Sequence, residues 1–152
     1  MTRLNERIET PLPIDEAFAY LADFANSEEW DPGVVSAERI DDGPVGVGSR
    51  YRVGVRQGER VAMMEYRISV HDAPNRVVLI GDGSGISAVD DIRFERAARG
   101  TTVDYTADIK LNGLLRLVQP FLGGTFAKIA RDAADGIERT LTARARAGEE
   151  GS

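Results

Sequence analysis

The chain has 152 residues, a size suited to one domain. Its formal net charge of −6 argues against nucleic-acid phosphates and anionic membranes as partners. It contains no cysteine, which excludes disulfides, thiolate nucleophiles, zinc–thiolate sites and iron–sulfur clusters. With a single histidine, His71, neither a His-based metal site nor Ser-His-Asp catalysis is expected. No metal or cofactor is expected either, so any chemistry rests on carboxylates, hydroxyls, arginines or the ligand itself.

Met1 to Glu6 lacks the apolar run of a signal peptide, and nowhere do ~18 apolar residues follow one another. The sequence therefore predicts an intracellular, cytoplasmic protein with no stable membrane insertion. Leu4 to Thr10 reads as a first strand, ended by Pro11 and Pro13. Ile14, Ala17, Phe18 and Leu21 then share one helical face, with Asp15 and Glu16 at the positive end of the helix dipole. Asp23 to Trp30 predicts a second short helix, closed by the turn Asp31-Pro32-Gly33.

From Val34 to Leu111 the hydrophobic period changes to two. Tyr51, Val53 and Val55 alternate with arginines, and Met64, Tyr66, Ile68 and Val70 alternate with Glu65, Arg67 and Ser69. Val103, Tyr105, Ala107, Ile109 and Leu111 alternate with Thr102, Asp104, Thr106, Asp108 and Lys110. One apolar and one charged face mark an antiparallel sheet covered on one side only. Gln57-Gly58-Glu59, Asp72 to Asn75, Gly81 to Gly85 and Ala98 to Gly100 supply the turns. Gly81 to Gly85 also invites comparison with a phosphate-cradling loop, but it lacks the Gly-Lys-Ser/Thr ending and no helix follows.

The last segment returns to helical spacing, with Leu114, Val118, Phe121, Leu122, Phe126, Ile129, Ala133, Ile137 and Leu141 in one stripe. The expected helix spans Leu114 to Ala143, kinked or delayed by Pro120 and weakened by Gly123-Gly124. Arg144 onward reads as a frayed tail, giving one domain over 1–146 and a tail over 147–152. The fold class is α+β, an antiparallel sheet of about six or seven strands on one long helix.

This order of elements is similar to that of the START-related helix-grip superfamily (SRPBCC). "TPLPIDEAFAYLADFANSEEWDPGV" (Thr10 to Val34), "GPVGVGSRYRV" (Gly43 to Val53) and "GTTVDYTADIKLNGLLRLVQPFL" (Gly100 to Leu122) resemble members of the polyketide cyclase/dehydrase type. The likeness covers nearly the whole chain. It implies a curved sheet gripping the C-terminal helix, with a ligand cavity between them. It does not by itself imply a reaction.

The alternation points Tyr51, Tyr66, Ile92, Phe94, Tyr105 and Asp90 inward. The expected cavity lining combines them with Val118, Phe121, Leu122 and Phe126 of the helix. Asp90 is the most informative, because a buried carboxylate is costly unless paired or hydrogen-bonded. Two roles stay open for it: a structural one, held by a tyrosine hydroxyl, an arginine or a helix-end amide, and ligand contact or proton transfer. Glu6 shares the phase of Leu4 and Ile8 but sits at an edge. His71 is expected to face outward at a strand end, and Trp30 to anchor the short helices on the sheet. Arg50, Arg52, Arg56 and Arg67 belong to a charge-mixed solvated face. The reading favours a binding protein for a small hydrophobic molecule, aromatic or polyketide-like. A cyclase or dehydratase is the alternative, an interaction protein a weaker third, and a homodimer is left open.

Overall fold

The computed structural model describes residues 1–150. They form one seven-stranded antiparallel sheet, in the order β1-β7-β6-β5-β4-β3-β2, and one long helix. The strands are β1 (Thr2–Thr10), β2 (Val34–Arg39), β3 (Arg50–Gln57), β4 (Arg60–Asp72), β5 (Arg76–Gly83), β6 (Ile86–Ala97) and β7 (Gly100–Leu111). Each strand from β2 to β6 pairs with its successor, and β1 pairs with β7. Helix α1 (Ile14–Ala22), a 3-10 turn (Phe24–Asn26) and α2 (Ser27–Trp30) lie between β1 and β2, and α3 (Gly123–Glu150) closes the chain. The sheet curls as a half-barrel about α3, the helix-grip arrangement.

The predicted α1 face is buried as expected: Ile14, Ala17, Phe18 and Leu21 are all within the core. The outer face of the sheet is charge-mixed, with Arg50 near Glu65 at 3.7 Å, Arg52 on Glu38 at 3.3 Å and Arg3 on Asp108 at 2.8 Å. Such exposed pairs contribute little each, about 0–1 kcal/mol. The fold rests instead on the shared core, a single buried cluster that includes Ile137 and Leu141 of α3 and strand residues such as Val53, Ile68 and Val103.

Four expectations need correction. The long helix begins at Gly123 rather than Leu114, because Pro120 has no amide hydrogen to give and sits in the first turn of a 3-10 segment. Leu114–Phe121 therefore forms two 3-10 turns, Gly113–Leu117 and Gln119–Phe121, whose period of about 3.0 cannot extend a stripe of period 3.6. At the other end α3 runs on to Glu150, so the expected tail is helical through that residue, and 151–152 lie outside the described residues. His71 does not face outward: the register shifts between Ile68 and Val70, the phase slips by one, and the imidazole packs edge-on against Phe18 with centroids 5.1 Å apart. Finally, the turn after β5 is only Ser84-Gly85, both at positive φ, and Gly81 lies inside the strand.

Candidate ligand cavity

A cavity of about 140 Å³ lies between the inner face of the sheet and α3. Its existence follows from residue size. The positions that face each other across it are small: Ala88 and Ala107 on the sheet, and Ala130, Ala133 and Ala134 on the helix. Strand alternation supplies the rest of the wall, with Leu4, Glu6 and Ile8 from β1, Tyr105 and Ile109 from β7, Asp90 from β6, Tyr66 from β4, and Val53 and Val55 from β3. Ile129 and Ile137 of α3 complete the roof, while Phe24, Trp30, Asp31 and Val34 close one end. A dry apolar cavity of about 150 Å³ is known to accept benzene, so this space is of the size of one aromatic ring.

The aromatic residues are held by tight local packing. Tyr66 lies opposite Gly81 in the β4–β5 register, and a Cβ at Gly81 would fall 2.5 Å from the Tyr66 ring. The absent side chain gives that ring its place on the cavity floor. Trp30 is buried, edge-on to Phe24 at 5.9 Å and to Tyr105 at 5.9 Å. It is thus both the predicted anchor and part of the cavity wall. Its end of α2 presses on α3 so closely that only glycine fits at position 136, where a Cβ would lie 1.8 Å from the Trp30 carbonyl oxygen.

Adjacent aspartates on β6 show what the two faces of the sheet do to one chemical group. Asp91 faces out. Partial burial pushes its carboxyl up, but hydrogen bonds from Arg76 and Arg93 outweigh this and hold it below the usual range. Asp90 faces in and is buried, and its hydrogen-bond partner among the described residues is the Tyr105 hydroxyl, which donates to Oδ2. Burial pushes its carboxyl up to about 7, the Tyr105 hydrogen bond opposes this, and the charges of Asp31 and Asp108 add to the rise. Asp31 at the cavity end is also raised, chiefly by burial, although it accepts the Gly33 amide at 2.8 Å. Burial likewise raises both Tyr66 and Tyr105 well above the ordinary tyrosine value.

Of the residues expected at the site, Tyr66, Asp90 and Tyr105 come together. Ile92 and Phe94 are buried in the core beside the cavity, Phe94 beneath Phe18 with centroids 5.2 Å apart. Tyr51 is fully buried against Phe24, and burial pushes its hydroxyl up to about 12. Val118, Phe121, Leu122 and Phe126 are not part of the cavity wall: the first three belong to the 3-10 segment and its caps ahead of α3, with Phe121 84% exposed, and Phe126 lies in the first turn of α3, before the wall begins at Ile129. Sequence reasoning missed Trp30, Phe24 and Asp31 as wall residues, since the short helices carry no strand phase to orient them. Glu6 was visible through the phase of Leu4 and Ile8.

Residues 1–142 match the family model described as "Polyketide cyclase / dehydrase and lipid transport". No curated protein matches the chain significantly. Among solved structures it is similar to a START superfamily protein from Mycobacterium smegmatis, with a TM-score of 0.77, 10% identity, and coverage of 93% of this chain and 97% of the other. It is also similar to a protein from Thermus thermophilus, with a TM-score of 0.73, 17% identity, and 94% and 97% coverage. A third likeness is to the Zhui aromatase/cyclase from a Streptomyces species, with a TM-score of 0.73, 11% identity, and 95% and 93% coverage. At these identities the structures share a fold, and the match over nearly the whole chain decides the rest: the protein belongs to the polyketide cyclase/dehydrase and lipid transport family.

Proposed function

We propose that the protein binds a small hydrophobic ligand carrying a ring, held between the sheet and α3. The observation that supports this reading most is the mostly apolar cavity kept open by facing alanines, with Trp30, Tyr66 and Tyr105 on its walls. In a well-packed interior of this size, such a void is costly unless something fills it.

Toluene and phenol are suitable probes, titrated by calorimetry against wild type and Ala107→Phe. Wild type is expected to bind near 1:1. The new phenyl ring occupies the cavity, so binding should weaken at least about tenfold while stability stays the same or rises. Equal affinity in both proteins would remove the cavity from the account.

A second reading, a cyclase or dehydratase acting on a polyketide-like substrate, draws on one observation. Asp90 with Tyr105 forms an inward carboxyl–hydroxyl pair, and its carboxyl sits near the pH at which proton transfer is efficient. The 140 Å³ available admits one ring, whereas a folded polyketide chain carries several. The binding reading is therefore the one preferred.

A further inference from the structure

We propose that the cavity selects a compact aromatic amine, a ring bearing a cationic nitrogen, and rejects the corresponding carboxylic acid. This rests on the ring-binding reading and names the class of ligand within it. Every acid–base side chain on the cavity wall is acidic or phenolic: Glu6, Asp31, Asp90, Tyr66 and Tyr105, with no arginine, lysine or histidine. The acids and phenols nearest Asp90 come from several elements. Tyr105 of β7 donates to it, Asp31 beyond α2 and Asp108 on the outer side of β7 act on it through their charges, and its own charge helps to raise the Tyr66 hydroxyl of β4. Glu6 of β1 stands opposite Tyr105 in the strand register. The residues that α3 contributes, Ile129 to Ile137, bring no charge to the wall.

The carboxylate of Asp90 is thus buried with one hydrogen bond among the described residues and without a cation. A carboxylate accepts about four hydrogen bonds, so most of its capacity is unused. The Tyr66 hydroxyl also has no protein hydrogen bond among the described residues and faces the same space. An ammonium group on a ring would donate to Asp90 while its ring fills the space between Ala107 and Ala133. A buried ion pair normally loses on desolvation roughly what it gains in attraction. Here folding has already desolvated the carboxylate, so only the ligand's own desolvation opposes the pairing. An anionic ligand would meet the acids Glu6, Asp31 and Asp90 on this wall with no cationic side chain there to offset them.

A ring-matched series tests this: toluene, benzyl alcohol, benzylamine and benzoate, titrated by calorimetry against wild type and Asp90→Asn. Benzylamine is expected to bind wild type at least about tenfold tighter than benzoate. Its affinity should rise between about pH 6 and pH 8 as Asp90 ionises, while that of toluene stays level. In Asp90→Asn the advantage of the amine over benzoate should shrink severalfold and its pH dependence should flatten, with toluene binding retained as proof of an intact cavity. If toluene binds but benzoate equals or exceeds benzylamine, or if Asp90→Asn leaves the amine unaffected, the amine selectivity is wrong and the ring-binding reading survives. If none of the four binds, both fail.

Discussion

Asp90→Asn is expected to raise the stability of the ligand-free protein above neutral pH, and to lose that advantage in acid. Folding shifts this carboxyl from an ordinary 3.8 to about 7, so the folded chain holds its proton more tightly than the unfolded one. The resulting stabilisation is fully present below about pH 4 and is lost as the pH rises through about 7. Above that range the buried charge costs roughly 4 kcal/mol, at about 1.4 kcal/mol for each tenfold change in proton affinity. Asparagine keeps the shape and still accepts from Tyr105. Its amide hydrogens lack partners, which costs about 1–3 kcal/mol, leaving a net gain of about 2 kcal/mol. For a chain of this size that is about 4–8 °C in Tm near pH 8, shrinking to nothing or reversing near pH 5. Thermal melts of the two proteins across this range check it. A variant less stable than wild type at pH 8 would mean that Asp90 is a structural partner and not a strained acid at a cavity wall.

Gly136→Ala is expected to destabilise, by up to about 2 kcal/mol, against the intrinsic preference of a helix for alanine. That preference favours the change by about 1 kcal/mol. The new methyl, however, would sit 1.8 Å from the Trp30 carbonyl oxygen and 2.9 Å from its carbon, and these are backbone atoms that no rotamer change can move. Helix α2 must then separate from α3, an overpacking that costs about 1–3 kcal/mol and sometimes more. Because Trp30 and Asp31 close the cavity, toluene binding should weaken with the fold. Gly148→Ala on the same helix is the internal control: its Cβ meets nothing within 4 Å, so that variant should be neutral or slightly stabilised. Urea denaturation of the three proteins measures the differences. Equal behaviour of the two variants would show that the α2–α3 contact is looser than described.

How far the site was legible depended on which kind of period carried each residue. Strand phase placed Tyr66, Asp90 and Tyr105 on one inner face because each lies in an unbroken alternation. The same phase failed for His71, where an irregularity after Ile68 slips the register without leaving a sequence signal such as glycine. Gly81 looked like part of a turn, since its role as room for the Tyr66 ring depends on a neighbouring strand. The helix stripe from Leu114 to Leu141 was continuous in sequence, yet Pro120 divides it into 3-10 turns and a helix, and only the portion from Ile129 lines the cavity. The cavity itself was the least legible feature. It arises from alanines of β6, β7 and α3 meeting across a space, and alanine is equally common in filled cores.

The central claim is that an aromatic ring enters between Ala107 of β7 and Ala133 of α3. Crystals soaked with iodobenzene test this most directly, because the iodine announces its position by anomalous scattering. A single strong iodine site is expected inside the cavity beside Trp30, Tyr105 and Ile137 in wild type, absent from Ala107→Phe. Iodine found only in the outer grooves, beside Tyr20 and Arg144 or beside Phe18 and His71, would contradict it, as would a wild-type cavity left empty.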